Sequence, residues 1–452
     1  MVSVGQGGGL RQTTTSDTRP RLDGVFTTFA SAGSVFRDLH FSLYWVSNAL
    51  FFIGQGLVLI GAQWLMLSLT DSRTVLGAMG AIQAIVVISL SPAAGVLADR
   101  LPRRDLLIFG RVGFAIVTGG MGFLVVAGAA TVPLILVSVG ISAIFLAISQ
   151  PASQSYVFDL VGAQRLMTAL ALNTLATGVF QILGPSAGGG LVAAIGSEAT
   201  YLVGSAGYLI GAIFLIMIPT RGKTEHPSAD FSFRQDVAET VRHLKRDPQL
   251  RYVFAPVMSI AIFSGAILAL RPVFAREILD VGASGLGWLS AAFGLGSLLG
   301  SLIVIGLGER MRLKGLVLLI SALDWCVCMV FYAISPWFVA DLFLELMLGM
   351  AAPFWTTASM TLLQVRVPEQ LRSRVLAAFF MLMQLLQLNW LFTGLLADAI
   401  GDREALFIMG LIPTGLIVVM LIVLRPLVTM GSARNPLVPY EILPDGVAAT
   451  RT

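Results

Sequence analysis

Twelve apolar runs set what this chain can become. They lie near 41–67, 75–98, 106–130, 132–150, 167–195, 199–218, 252–275, 285–307, 314–334, 337–362, 374–399 and 404–425. Each approaches or exceeds the roughly 20 apolar residues that cross about 30 Å of hydrocarbon. In lipid a backbone must satisfy its own hydrogen bonds, so runs of this length read as helices. Composition agrees. Only 12% of residues are charged and 56% are hydrophobic, against about 25% charged in a soluble domain. The pattern predicts an all-α membrane protein with twelve transmembrane helices. Ser91-Pro92, Gly184-Pro185 and Pro353 interrupt some runs, as spans tolerate when neighbours re-satisfy the freed groups.

The cations orient these spans. Net charge is +4, a bias that in a soluble chain would suggest nucleic acid. Here the cations sit between apolar runs and report membrane topology instead. With the N-terminus inside, only Arg73, Arg276 and Arg403 of the 29 lysines and arginines fall in outside gaps, and Arg111 and Arg271 fall inside spans. The rest lie inside. This asymmetry predicts both termini in the cytoplasm. Residues 1–40 are polar, lack the apolar core of a signal peptide, and read as a disordered cytoplasmic lead-in. Cys326 and Cys328 lie two apart in one run. They point to nearly opposite sides of a helix and read as buried small hydrophobes.

The longest internal gap, 219–251, divides the spans six and six. Phe233, Val237, Val241 and Leu244 recur there at helical spacing, opposite Arg234, Glu239, Arg242 and Lys245. This predicts an amphipathic helix, either lying along the inner interface or packed on protein. The expected organisation is a lead-in (1–40), two six-helix pseudo-symmetric bundles (41–218 and 252–425) joined by the linker 219–251, and a cytoplasmic tail (426–452). The halves echo each other weakly. GGLVAAIG at 189–196 matches GLLADAIG at 394–401, and Glu309-Arg310-Met311-Arg312 follows span 8 much as Asp99-Arg100-Leu101-Pro102-Arg103-Arg104 follows span 2. Parallel repeats of this kind mark secondary transporters whose substrate site lies near the midplane between the halves.

The stretch GVLADRLPRR at 95–104 resembles the signature of the major facilitator superfamily. In that family the acid and arginines after span 2 form a charge latch at the cytoplasmic end of the opposite half. Carried over, the resemblance assigns the latch to Asp99, Arg100 and Arg103, with Arg104 beside them and Glu309 and Arg310 as the echo. Gly95 would allow close helix approach. A carboxylate pairing with arginine at helix ends can bias a two-state rocking equilibrium. The stretches 63–83, 170–196, 243–253 and 273–301 are similar to the branch that holds enterobactin exporters and macrolide efflux pumps. The resemblance covers roughly 41–425. It implies a secondary active exporter of a bulky small molecule, coupled to protons, in a bacterial cytoplasmic membrane. It implies a monomer with no cofactor, metal or nucleic-acid partner. A lipid or lysolipid mover and a non-transporting membrane sensor are the alternatives. Gly184, Pro185, Gly188 and Gly189 match the G-P-x-x-G-G core of an exporter-associated motif, and would pack span 5 closely and bend it at Pro185.

Ionisable groups inside spans are functional candidates by default. Asp324 lies mid-span 9, Glu345 about two turns into span 10, Asp341 one turn shallower, and Arg271 in the outer third of span 7. Glu345 and Arg271 form the leading pair for coupling or substrate contact; Asp324 reads more as a structural carboxyl. Asp398 lies near the outer end of span 11. Many relatives carry an acid after the span 1 glycine, where this chain has Gln55 after Gly54. Asn48, Gln55, Gln63, Asn173, Gln181, Gln384, Gln387 and Trp390 are cavity candidates, with interhelical hydrogen bonding as the competing role.

Enzyme motifs fail. Gly184-Pro185-Ser186-Ala187-Gly188 fits G-x-S-x-G but lies inside a span, without the strand–turn–helix a nucleophile elbow needs. Gly222-Lys223-Thr224 lacks the upstream glycine of a P-loop, and H-E-x-x-H does not occur.

Overall fold

The computed structural model describes residues 36–222, 248–307, 311, 313–367 and 369–430. The predicted linker helix, most of the lead-in and tail, and Glu309 and Arg310 lie outside the described residues. The first half opens with α1 (Leu39–Leu69), α2 (Arg73–Arg100) and α3 (Arg103–Val126). A long helix, Val132–Ala194, then runs through a break at Gly162. Its two arms are α4 (Val132–Gly162) and α5 (163–194). After them comes α6 (Ser197–Ile216). The second half holds α7 (Arg251–Ile278), α8 (Gly282–Leu307), α9 (Lys314–Ile334), α10 (Phe338–Arg366), α11 (Glu369–Ile400) and α12 (Asp402–Val423), with a short α13 (Arg425–Val428).

Eleven of these helices are long and apolar enough, among the described residues, to cross a bilayer. The twelfth expected span is α5. Several side chains in its first turns, including Ala163 and Met167, lie outside the described residues. The chain turns between α4 and α5 at Gly162, whose φ of +67° and ψ of 177° are open to glycine. Helical dihedrals continue through Pro185. The break at Gly162 falls in the gap expected between the fourth and fifth spans, and Pro185 is carried inside α5.

Helix ends follow local chemistry. Asp38 caps α1 by accepting from the His40 N–H at 2.9 Å, and Ser72 is the N-cap of α2. Span α7 is built in three pieces. A helix to Phe263 gives way to Ala266–Val273, and a π-turn follows at Phe274–Ile278. Wide turns of this kind break regular hydrogen bonding and often sit at functional sites.

Helices α1 to α6 pack mainly on one another, as do α7 to α12, and the halves meet chiefly where α2 lies on α11 and α5 on α8. Both seams are backbone against backbone. A Cβ at Gly77 would fall 2.2 Å from the Trp390 carbonyl oxygen, and one at Gly394 2.2 Å from that of Arg73. A Cβ at Gly189 would fall 2.6 Å from the Ala283 carbonyl and 2.7 Å from the Gly287 Cα. At the Arg100 end of α2 the contrast is with Gly95, where an added Cβ would meet no described atom within 4 Å. The close approach expected at Gly95 is thus absent in this conformation, because the seam has diverged before reaching it.

The apolar cores repeat this asymmetry. Toward the Arg73 end, one cluster joins Met66, Leu67 and Leu76 of the first half to Leu270, Phe274 and Tyr332 of the second. Toward the other end there are two cores. Phe41, Tyr44, Leu106 and Tyr156 serve the first half; Phe254, Leu318, Leu362 and Phe379 serve the second. The molecule is closed at the Arg73 end and divided at the Arg103 end. A Gly394→Leu substitution should therefore cost about 1–3 kcal/mol by overpacking the seam, read as a lowered melting temperature of the purified protein. Gly95→Ala, where the added Cβ meets no described atom, should not lower the melting temperature and should raise it slightly through helix propensity.

Candidate functional site

A cavity of about 340 Å³ lies between the halves. Residues of α1, α2, α3, α4, α6, α7, α8 and α11 line it, among them Gln55, Gln83, Thr118, Tyr208, Arg271 and Trp390. Its wall carries one charged side chain, Arg271. The Arg271 guanidinium donates from Nε to Glu345 Oε1 at 2.6 Å and from Nη2 to Oε2 at 2.8 Å. Glu345 is 0% exposed and Arg271 8%. Arg271 also reaches Ser290 Oγ at 3.5 Å and lies 5.3 Å from the Phe293 ring centroid. A fork-to-fork pair of this geometry is the arrangement that keeps two charges tolerable inside a membrane. The two leading sequence candidates are thus direct partners. Arg271 faces the cavity and Glu345 stands behind it.

Asp341 lies one turn from Glu345, is also 0% exposed, and neither of its oxygens receives a hydrogen bond among the described residues. The nearby Ser335 hydroxyl is instead engaged with the Trp337 backbone. Asp324 is half-buried on α9, beside Cys328 at 3.9 Å, and is not a cavity residue.

The Arg73 end is held by charges that cross between the halves. Arg73 donates from Nε to Asp402 Oδ1 and from Nη2 to Asp402 Oδ2, each at 3.0 Å, and also pairs with Glu277. Asp398 accepts from Ser72 Oγ at 2.8 Å, Arg73 N at 2.8 Å and Thr74 N at 2.9 Å. A carboxylate from α11 therefore fills free N–H positions at the start of α2, where the helix dipole also favours negative charge. Arg276 donates to the Leu67 carbonyl, adding a further bond across the halves. Sequence reading placed Asp398 near this end but missed the clamp. Its members are far apart in the chain, and charges at span ends ordinarily read as interface residues.

At the opposite end, Arg103 and Arg104 bond to groups of the first half. Arg103 donates from Nη1 to Asp159 at 3.0 and 2.9 Å. Arg104 donates to Asp105 at 3.1 Å and to the Ile218 carbonyl at 2.6 Å. Arg100 is exposed at the end of α2, and the side chain of Asp99 lies outside the described residues. These bonds tie the Arg103 end of the first half to itself, beside its own apolar core.

The cavity candidates divide. Gln55, Gln63, Gln387 and Trp390 line the cavity; Gln181 and Gln384 do not. Asn48 and Asn173 instead form interhelical bonds. Asn48 Nδ2 donates to Asn173 Oδ1 at 3.2 Å, and Arg111 Nη2 donates to Asn48 Oδ1 at 2.7 Å. Arg111 is 3% exposed, its guanidinium lies 3.5 Å from the Phe51 ring centroid, and no carboxylate pairs with it among the described residues. Sequence reading placed Arg111 inside a span without assigning it a role, and passed over Gln83. Gly184 and Gly188 of the exporter-like motif pack on α1, where an added Cβ would approach Ile53 O to 2.8 Å and Leu57 Cα to 3.2 Å; Gly189 packs on α8. Among the described residues no cluster of His, Cys, Asp or Glu could hold a metal ion.

Two outcomes are expected. Glu345→Gln should cost about 3–5 kcal/mol, because it leaves a buried arginine without its partner; Glu345→Leu combined with Arg271→Met should restore most of that loss in thermal unfolding. Asp398→Ala should loosen the Arg73 end. Spin labels at positions 71 and 404 should then show a longer, broader distance distribution than in the unaltered protein.

Comparison with known proteins agrees with this architecture. A family described as transmembrane secretion effectors, MFS_3, matches residues 30–444. The chain is 26% identical over 286 residues to the enterobactin exporter EntS of Salmonella typhi, covering 62% of this chain and 67% of that protein. It is 21% identical over 375 residues to the staphyloferrin A transporter of Staphylococcus aureus, covering 81% and 92%. Among solved structures, a bacterial homologue of the lysosomal transporter Spinster, inward-facing and unoccupied, superposes with a TM-score of 0.65 at 16% identity, over 87% of this chain and 96% of that one. The nucleoside transporter NupG gives 0.67 at 15%, over 85% and 99%. Those structures share its fold. The chain is a membrane transporter, not an enzyme, and belongs to the transmembrane secretion effector family of the major facilitator superfamily.

Proposed function

We propose that this protein is a secondary active exporter that carries a small amphiphilic metabolite, of siderophore type, across a bacterial cytoplasmic membrane in exchange for protons. Both termini are cytoplasmic in this reading. The Arg73 end then faces outward, and the structure represents the inward-facing state. The observation that carries the proposal is a cavity between the halves, walled by a buried ion pair and clamped shut at one end only. The residues 41–218 and 252–425 act as the two rocking units.

Cargo loads from the cytoplasm while the Arg271–Glu345 pair is intact. A proton on Glu345 removes the charge that holds Arg271. The guanidinium is then a desolvated cation without a counter-charge, and turns toward the cavity. Cargo and proton therefore exclude one another at one site, which is the requirement for exchange. Opening outward needs the Arg73–Asp402–Glu277 clamp to break and the divided end to close. In the closed inner state Asp99, Arg100 and Arg103, with Glu309 and Arg310, engage as the latch, and Arg103 exchanges its Asp159 partner for contacts across the halves.

The test compares metabolites in cells and medium with and without the gene, under iron limitation and in rich medium. A compound retained in the deletion strain and lost from its medium is the expected result; no such compound in either condition counts against export. With that compound in everted vesicles, Glu345→Gln, which mimics the protonated acid and frees Arg271 toward the cavity, should lose both cargo exchange and the response to an imposed pH gradient. Asp99→Asn should slow transport while leaving the amount of inserted protein unchanged; transport at the original rate would remove the latch from the mechanism.

A further inference from the structure

The cavity wall is rich in carboxamides. Gln55 and Gln63 come from α1, Gln83 from α2 and Gln387 from α11. No hydrogen bond to protein holds any of these four amides among the described residues, and Gln387 Oε1 is buried without a partner. Unspent polar groups are costly away from water, at about 1–3 kcal/mol each. Of the four, Gln387 Oε1 is the one atom buried without a partner; the other amides open onto the cavity, and none is spent on packing as Asn389 is, which donates to the Ile262 carbonyl at 2.6 Å.

The charge of the wall points the same way. Arg271 is the one charged lining residue among those described, and Glu345 takes both arms of its fork. The wall as a whole is neutral. A carboxamide offers two donors and an acceptor together. These amides can turn either end toward a ligand, but an ionised ligand would leave water for a wall that offers no free counter-charge. A group that itself combines donor and acceptor, such as an amide or an ester beside a hydroxyl, satisfies both. Phe114 and Trp390 supply apolar surface next to these amides. A site built from hydrogen-bonding groups rejects ligands that leave them unpaired.

We infer that the cavity binds an uncharged, amide- or ester-bearing amphiphile, read by the four glutamines with the Arg271–Glu345 pair intact. The inference rests on the export reading only for the direction of movement; binding can be measured without transport. Three probes share one aromatic side chain: N-acetylphenylalaninamide is neutral, N-acetylphenylalanine is anionic and phenylalaninamide is cationic at pH 7. Calorimetric titration of the purified full chain should show the neutral probe binding at least tenfold more tightly than either charged one. Gln55→Leu and Gln387→Leu should each weaken the neutral probe about tenfold. Gln63→Glu, which keeps the size and adds a charge, should shift the preference to the cation; it also tests the site if the leucine variants do not fold. A charged probe binding as tightly as the neutral one, binding of no probe, or folded variants that bind like the unaltered protein would each overturn the inference. Binding that follows the prediction without movement in vesicles would refute export and leave the site standing.

Discussion

The cost of an unpaired charge in hydrocarbon organises this molecule. Water is not available to solvate side chains in the bilayer, so ions within the spans must find partners in the protein or carry a reason for lacking one. Arg271 finds Glu345, and in doing so ties α7 to α10 at the cavity wall. Arg73 finds Asp402 and Glu277, and in doing so ties one half to the other. Arg103 finds Asp159, a partner in its own half. The choice of partner at each depth thus defines which end is shut. Arg111 shows the other solution, with its charge spread over the Phe51 face and a chain of amides through Asn48 to Asn173.

Much of this was legible in the sequence because membrane physics acts locally. A run of about 20 apolar residues must be helical, and cations between runs must choose a side. Neither inference needs the tertiary structure. The Arg271–Glu345 pair could be anticipated because two opposite charges at similar depth in spans leave few alternatives. The clamp could not. Arg73 and Asp402 are separated by 329 positions, and each at a span end would be unremarkable alone. The same holds for Asn48 and Asn173. Their types suggested a cavity, and only their facing positions on α1 and α5 turn them into a bond between helices.

Glycine positions were harder still to read. In the sequence, Gly95 and Gly189 both looked like sites of close helix approach. In the structure Gly189 meets backbone and Gly95 meets no described atom. The difference is not in the residues but in where the two halves touch. A motif can mark a helix face that is used in one conformation and idle in another.

The seams along α2–α11 and α5–α8 have a consequence for energy conversion. At Gly77, Gly189 and Gly394 the opposing atoms are main chain, with no side chains between them to bend or change rotamer. At those points the joint has no rotamer to yield, while at Gly80 and Gly294 it rests on the side chains of Trp390 and Ile182. It parts as a block when the halves tilt. A transporter jointed this way has few slightly ajar states along these lines while its cavity is empty. Tightness of coupling then depends less on any gate residue than on the stiffness of bare backbone pressed against bare backbone.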